Sequence, residues 1–262
     1  MSGVEIDRVL PTRRPPGRAA IDQRWAELLF LHWTVPAAAL RPRLPAALSL
    51  DTFEGRAYVG LVPFMMTGVR PAWAPPFPPF SHFRQVNVRT YVHLEGREPG
   101  VWFFSLDASS PLAVLTGRLF FRLPYHLARM RLQPEAEGAV RYTSDRRGAG
   151  AARLRVRYAP AGPTGVAPPG SLEYFLAERY VLYTQGRGGL YRGRVHHRPY
   201  PLQPARVDGL EETLLAAAGL TRPEEAPLAH YAREVSAEVF PLERLAPRGE
   251  GRLTARVAPN SL

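Results

Sequence analysis

Lysine and cysteine are both missing from this 262-residue chain, so all 34 of its basic side chains are arginine. Without a lysine amine or a cysteine thiol, no side chain can form a lysine Schiff base, a thioester or a disulfide. A P-loop with its phosphate-binding lysine cannot be built either. Arginine keeps its charge at physiological pH and presents a planar fork of donors to carboxylates and phosphates, whereas lysine can be neutralised and used as a base or nucleophile. The chain therefore keeps an anion clamp and lacks the amine nucleophile. Long hydrophobic runs are also scarce: the longest, Ala26 to Val35, is broken by Glu27 and His32 and is too short to span a bilayer. The first residues, Met1 to Arg8, carry acids and no apolar h-region, so a secretory signal is not expected and a cytoplasmic location is.

What is present is a globular composition, 45% hydrophobic and 10% aromatic, with 28 prolines and a formal charge of +11. Arginine in place of lysine, absent cysteine and many prolines suit a GC-rich, thermophilic origin. The arginines are scattered. Arg13, Arg14 and Arg18 sit in a proline-glycine arm and Arg146-Arg147 precede Gly148, which is neither a basic helix nor an aromatic-interleaved strand. Nucleic-acid binding is accordingly not expected.

Residues 1–20 read as an extended arm, 21–245 as a single domain and 246–262 as a tail. Phe53 to Phe64 suggests a hairpin about Glu54-Gly55. The proline segment from Pro71 to Pro79 must be a loop, stiff and packed on the core through Trp73, Phe77 and Phe80. In Val86 to His93 alternation puts Val86, Val88, Thr90 and Val92 on one face, read as core, and Asn87, Arg89, Tyr91 and His93 on a polar one. Val101 to Asp107 is apolar enough to be covered on both sides. Ser110-Pro111 caps a helix to Phe121, and His126 to Leu132, Ala139 to Ser144 and Arg153 to Tyr158 read as antiparallel strands. Ser171 caps a helix over Leu172 to Arg179. Val181 to Thr184 and Leu190 to His196 flank a glycine turn, Leu210 to Ala218 is expected to be a helix ended by Gly219, and Glu234 to Phe240 a last strand. Strands with a few inserted helices mean α+β.

Catalytic signatures such as GxSxG, HExxH and an EF-hand loop are absent, and Gly186 to Gly189 lacks the GxGxxG spacing. His196 and His197 are strand neighbours that point to opposite faces, so no metal site and no cofactor are expected. Adjacent strands could set Arg89 opposite Asp107, either as a structural ion pair or, if Arg89 is free in an apolar cavity, with Arg89 as an anchor for a substrate carboxylate.

Several separated segments resemble one family in order: Phe83 to Val92, Gly100 to Ala108, Arg118, Leu123-Pro124-Tyr125, Phe175 to Tyr180 with Leu182 to Thr184, and His197 to Tyr200. They are similar to the YqjF-like family of uncharacterised bacterial proteins over about residues 24–242, a distant relative of acetoacetate decarboxylase. The resemblance implies an antiparallel β-barrel or cone with helices packed around it and a ligand cavity inside. It places Tyr125 where the decarboxylase has its catalytic lysine, after a Gly-x-Pro stretch that reads Arg122-Leu123-Pro124 here. At Phe83-Arg84-Gln85 it places Gln85 where the decarboxylase motif, and many YqjF-like members, have a glutamate.

The implied site holds Arg89 and Tyr125 as candidate catalytic groups, with Gln85, Asn87, Asp107, His32 and His197 as ligand-binding residues. Tyr125 reads more readily as a core aromatic whose hydroxyl finds one partner. The expected function is binding of a small carboxylate- or carbonyl-bearing molecule without Schiff-base chemistry; an enzyme here would use non-covalent, lyase- or isomerase-like steps. The alternative is a non-enzymatic scaffold or interaction protein with a filled core. A homo-oligomer is compatible with either. An open pocket shared by Asn87, Arg89 and Tyr125 favours binding, whereas Arg89 tied to Asp107 in a dry interior favours a scaffold.

Overall fold

The computed structural model describes residues 6–77, 81–148 and 150–245. Pro78, Pro79, Phe80 and the expected tail, 246–262, lie outside the described residues. The strands are β1 (Ile21–Val35), β2 (Ser49–Leu50), β3 (Ala57–Pro71), β4 (Phe83–Leu94), β5 (Arg97–Ala108), β6 (Tyr125–Pro134), β7 (Val140–Arg146), β8 (Arg153–Pro160), β9 (Val181–Gly186), β10 (Gly189–His197), β11 (Leu202–Glu212), β12 (Leu228–Val239) and β13 (Glu243–Arg244). The helices are short: α1 (Ala37–Leu40), α2 (Pro111–Phe120), α3 (Leu172–Ala177) and α4 (Leu214–Ala217).

The sheet closes on itself twice. Strands β10, β9, β5, β4, β3, β1 and β12 pair in turn and β12 returns to β10, which makes one ring. From β5 the sheet also continues through β6, β7, β8 and β11 to β12, which closes a second ring across the shared wall of β12, β1, β3, β4 and β5. Closure removes the edges that a twisted sheet would otherwise expose. Pairing is antiparallel except where β5 runs parallel to β6 and to β9. Parallel neighbours need a crossover, and α2 supplies it between β5 and β6. The Ser110 hydroxyl caps that helix by accepting from the Ala113 amide at 3.3 Å, with Pro111 at its first position.

The double closure changes the reading of β4. Val86 and Val88 pack in the second ring, but the polar face with Asn87, Arg89 and Tyr91 is buried too, because it lines the first ring. A strand in a shared wall has no solvent side.

Other expectations are corrected by tertiary pairing. Leu210 to Glu212 belong to β11, held opposite β8 with Leu210 facing Val156, so the helix begins only at Leu214; Gly219, at φ +73°, follows its end as expected. The Glu54-Gly55 turn is closed only by an isolated Phe53–Arg56 bridge. Trp73 and Phe77 are 80% and 69% exposed and so are not packed into the core. The N-terminal arm includes a 3-10 turn at Leu10–Thr12 that accommodates Pro11. It is tied down: Arg8 reaches the buried Asp51, and Arg14 pairs with Glu238 at 2.7 Å.

Candidate functional site

The first ring encloses a cavity of about 960 Å³. Alternation along β4 points Gln85, Asn87 and Arg89 into it in succession, and Tyr125 enters from the start of β6. Four of the seven expected site residues thus meet in one cavity.

Tyr125 is positioned from three sides. Its hydroxyl donates to Oε1 of Gln85 at 3.0 Å. Its carbonyl accepts from the Arg118 guanidinium at 2.8 Å and 2.5 Å. Gly117 lies against its ring so closely that an added Cβ would sit 2.4 Å from Cδ2 and Cε2. The segment leading to it turns at Arg122, whose φ of +54° is in the sparsely populated left-handed region. Burial pushes the phenol above its ordinary value, an effect that Gln85 only partly offsets. Tyr125 is therefore a protonated donor.

Arg89 carries the charge. Its Nη2 donates to the Leu176 carbonyl at 3.0 Å, and its guanidinium lies 5.6 Å from the Phe30 ring and 5.7 Å from the Tyr91 ring. Nε of Arg89 and Oδ1 of Asn87 are buried without a hydrogen-bond partner among the described residues. The other two buried arginines among the described residues are compensated: Arg146 by Asp107 at 2.8 Å, and Arg179 by Asp51 at 2.7 Å. Arg89 has no carboxylate partner among the described residues.

Asp107 does not join this group. It is opposite Val86 in the β4–β5 register, so it shares Val86's face and points away from Arg89; β5 also bulges between the partners of Val88 and Arg89. The carboxylate instead accepts from Arg146 Nε at 3.0 Å, and Arg146 Nη2 donates to Ser105 at 3.1 Å. The expected Arg89–Asp107 opposition is thus replaced by an Arg146–Asp107 pair in the second ring.

The two histidines stand behind the wall. His32 Nε2 lies 2.7 Å from the Tyr91 hydroxyl, which is 2.7 Å from the Leu176 carbonyl. One proton arrangement satisfies both contacts: Nε2–H donates to Tyr91 and Tyr91 donates to Leu176. Burial and the nearby Arg89 hold the imidazole neutral, well below its usual value. His197 is buried as its neighbour His196 is not, stacks on Tyr180 at 4.3 Å, and is held at about 4 by burial. Its Nδ1 lies 2.8 Å from the Arg198 carbonyl.

Tyr91, which alternation places on the polar face without a role, and Arg179, Trp25 and Tyr200, which no sequence pattern marks as site residues, also belong to the site. Arg179 and Tyr91 stack with a separation of 4.8 Å, while Trp25 and Tyr200 form the cavity wall in front of His197. Arg179 lies inside one of the resemblance motifs and could have been marked; Trp25 carried no local signal.

Residues 22–236 match the model of the DUF2071 family, described as uncharacterized conserved proteins. The chain belongs to this family. A DUF2071 identity agrees with 40% sequence identity over 230 residues to the uncharacterized protein YqjF of Bacillus subtilis strain 168, covering 88% of this chain and 94% of that one. Among solved structures, the enduracididine biosynthesis enzyme MppR complexed with pyruvate superposes with a TM-score of 0.59 at 13% identity, covering 88% of this chain and 92% of that one. Acetoacetate decarboxylase from Legionella pneumophila does so with a TM-score of 0.57 at 14% identity, over 88% and 92%. At such identities the likeness is one of fold. This DUF2071 chain has the acetoacetate-decarboxylase-like architecture that its motifs imply, and among the described residues no helix is long and apolar enough to cross a membrane.

Proposed function

We propose that this DUF2071 protein binds a small molecule bearing a carboxylate or carbonyl group in the cavity of the first ring, without Schiff-base chemistry. The observation that carries the reading is Arg89, a buried cation with no carboxylate partner among the described residues, facing an open cavity beside Asn87 and the Gln85–Tyr125 pair. A buried charge without a counter-charge is costly, and an anionic ligand supplies one. The amides of Asn87 and Gln85 orient the ligand's oxygens, and the Tyr125 hydroxyl, which donates to Gln85 Oε1, leaves the Gln85 NH2 group as the donor. His32 and His197 act indirectly, His32 through Tyr91 and His197 through Tyr200. The MppR fold neighbour, complexed with pyruvate, supports the same use of this architecture.

If the bound molecule is turned over, the chemistry is non-covalent, because the chain has no lysine, the resemblance sets Tyr125 at the decarboxylase's lysine position, and Gln85 cannot exchange a proton as a carboxylate does. The cavity, together with the engagement of Asp107 by Arg146, weighs against a scaffold with a filled core. Titration calorimetry with pyruvate, acetoacetate and hexanoate tests the proposal. At least one should bind saturably and weaken tenfold or more in Arg89→Gln, and acetoacetate should release carbon dioxide no faster than in buffer. Failure of all three to bind, or indifference to Arg89→Gln, defeats the reading.

A further inference from the structure

The cavity is graded in polarity from floor to mouth. Its floor carries Gln85, Asn87 and Arg89, which are 3%, 5% and 8% exposed. Its walls are apolar, among them Leu28, Phe64, Val101 and Leu106. The mouth is flanked by Trp73 on the loop after β3 and Phe120 at the end of α2, which are 80% and 69% exposed. Large apolar side chains left in water around an opening have a physical use when what passes between them is itself apolar.

Volume points the same way. Sites for drug-sized ligands occupy roughly 300–1,000 Å³, and this cavity, at about 960 Å³, is at the upper end. A three- or four-carbon acid on Arg89 would leave most of the apolar wall facing water, whereas a long chain would cover it. Accordingly, we propose that the occupant is an amphipathic carboxylate of the fatty-acid class, its carboxylate on Arg89 and its chain running along the wall to the Trp73–Phe120 mouth. This rests on the proposed function, of which it specifies the ligand class.

A chain-length series of butyrate, octanoate, dodecanoate and hexadecanoate separates the two. Binding is followed below micellar concentrations by calorimetry and by the fluorescence of Trp25 and Trp73, which line the cavity. Affinity should rise up to about fourfold per added methylene, as for a buried methylene, and should fall tenfold or more in Arg89→Gln and when dodecanol replaces dodecanoate. Val62→Phe, which thickens the wall, should weaken the longest acids and spare butyrate. Arg89-dependent binding that is flat with length overturns the fatty-acid inference and leaves the proposed function standing. A length dependence unaffected by both substitutions would mean that chains adhere to the exposed mouth, and overturns both readings. A series in which no acid binds overturns the fatty-acid inference, while the pyruvate and acetoacetate titrations still decide the proposed function.

Discussion

The Tyr125 hydroxyl donates to Oε1 of Gln85 across 3.0 Å, joining the two positions at which the decarboxylase resemblance would have a lysine and a glutamate. Here a phenol and an amide are joined by a hydrogen bond. Tyr125→Phe should leave the buried Gln85 carbonyl oxygen without its donor and cost about 1–3 kcal/mol, read as a shift in denaturant midpoint. Adding Gln85→Leu should recover part of that loss, and strictly additive costs would show that the pair is not coupled.

Arg89 and Arg146 should respond oppositely to removal. Arg146→Ala strands the fully buried Asp107 carboxylate and should destabilise by roughly 3–5 kcal/mol. Arg89→Leu removes an uncompensated cation at the expense of one hydrogen bond to the Leu176 carbonyl, so its melting temperature should stay within a few degrees of wild type while carboxylate binding is lost. Thermal melts of both variants decide it. A collapse in the Arg89 variant comparable to that in Arg146→Ala would mean that Arg89 is structural.

Gly117→Ala tests the positioning of the phenol from outside the polar cluster. The new Cβ cannot coexist with the Tyr125 ring at 2.4 Å, so the ring or α2 must shift. Ligand binding should weaken even though no polar group is removed. Tyr125→Ala should make room for the methyl group, so adding Gly117→Ala to it should cost little further stability.

Stability should fall with acid in a window set by histidines held below their usual value, among them His32, His126 and His197. His197 and His126 are both held at about 4, chiefly by burial, against 6.5 in the unfolded chain. Because the folded state resists protonation, it binds fewer protons than the unfolded one below pH 6.5; stability is full above that value and declines as pH falls towards 4. His197, which is nearly inaccessible, accounts for on the order of 3 kcal/mol of that decline. Replacing it by Gln should make the pH 4–6.5 limb of the denaturation midpoint shallower, with His126 and His32 supplying the remainder. An unchanged slope would assign the limb to other groups.

Much of the site was legible because strand alternation is local. Once Val86 to His93 is read as a strand, Gln85, Asn87, Arg89 and Tyr91 must share a face whatever the rest of the chain does. Tyr125 became legible only through its resemblance motif, since nothing in its own neighbourhood marks it. The side of the sheet that Asp107 occupies is not legible, because facing residues depend on register. The turn after Leu94 and the bulge in β5 decide which side of the sheet Asp107 shares, and neither can be counted from alternation within one strand. Leu210 to Glu212 have a pattern too short to tell helix from strand, and pairing with β8 outweighs a weak propensity.

By itself, the sequence determined what this protein cannot do and what its β4 strand must present: no side-chain amine or thiol chemistry is open to it, and an arginine, an asparagine and a glutamine stand in one row. Tertiary structure alone decided that this row faces a cavity rather than solvent, that Asp107 answers Arg146 and leaves Arg89 uncompensated, and that Tyr125 meets Gln85. The physical reason is closure. Two rings sharing one wall bury both faces of β4, and which residues then meet is set by pairings between segments far apart in the chain, which no local pattern encodes.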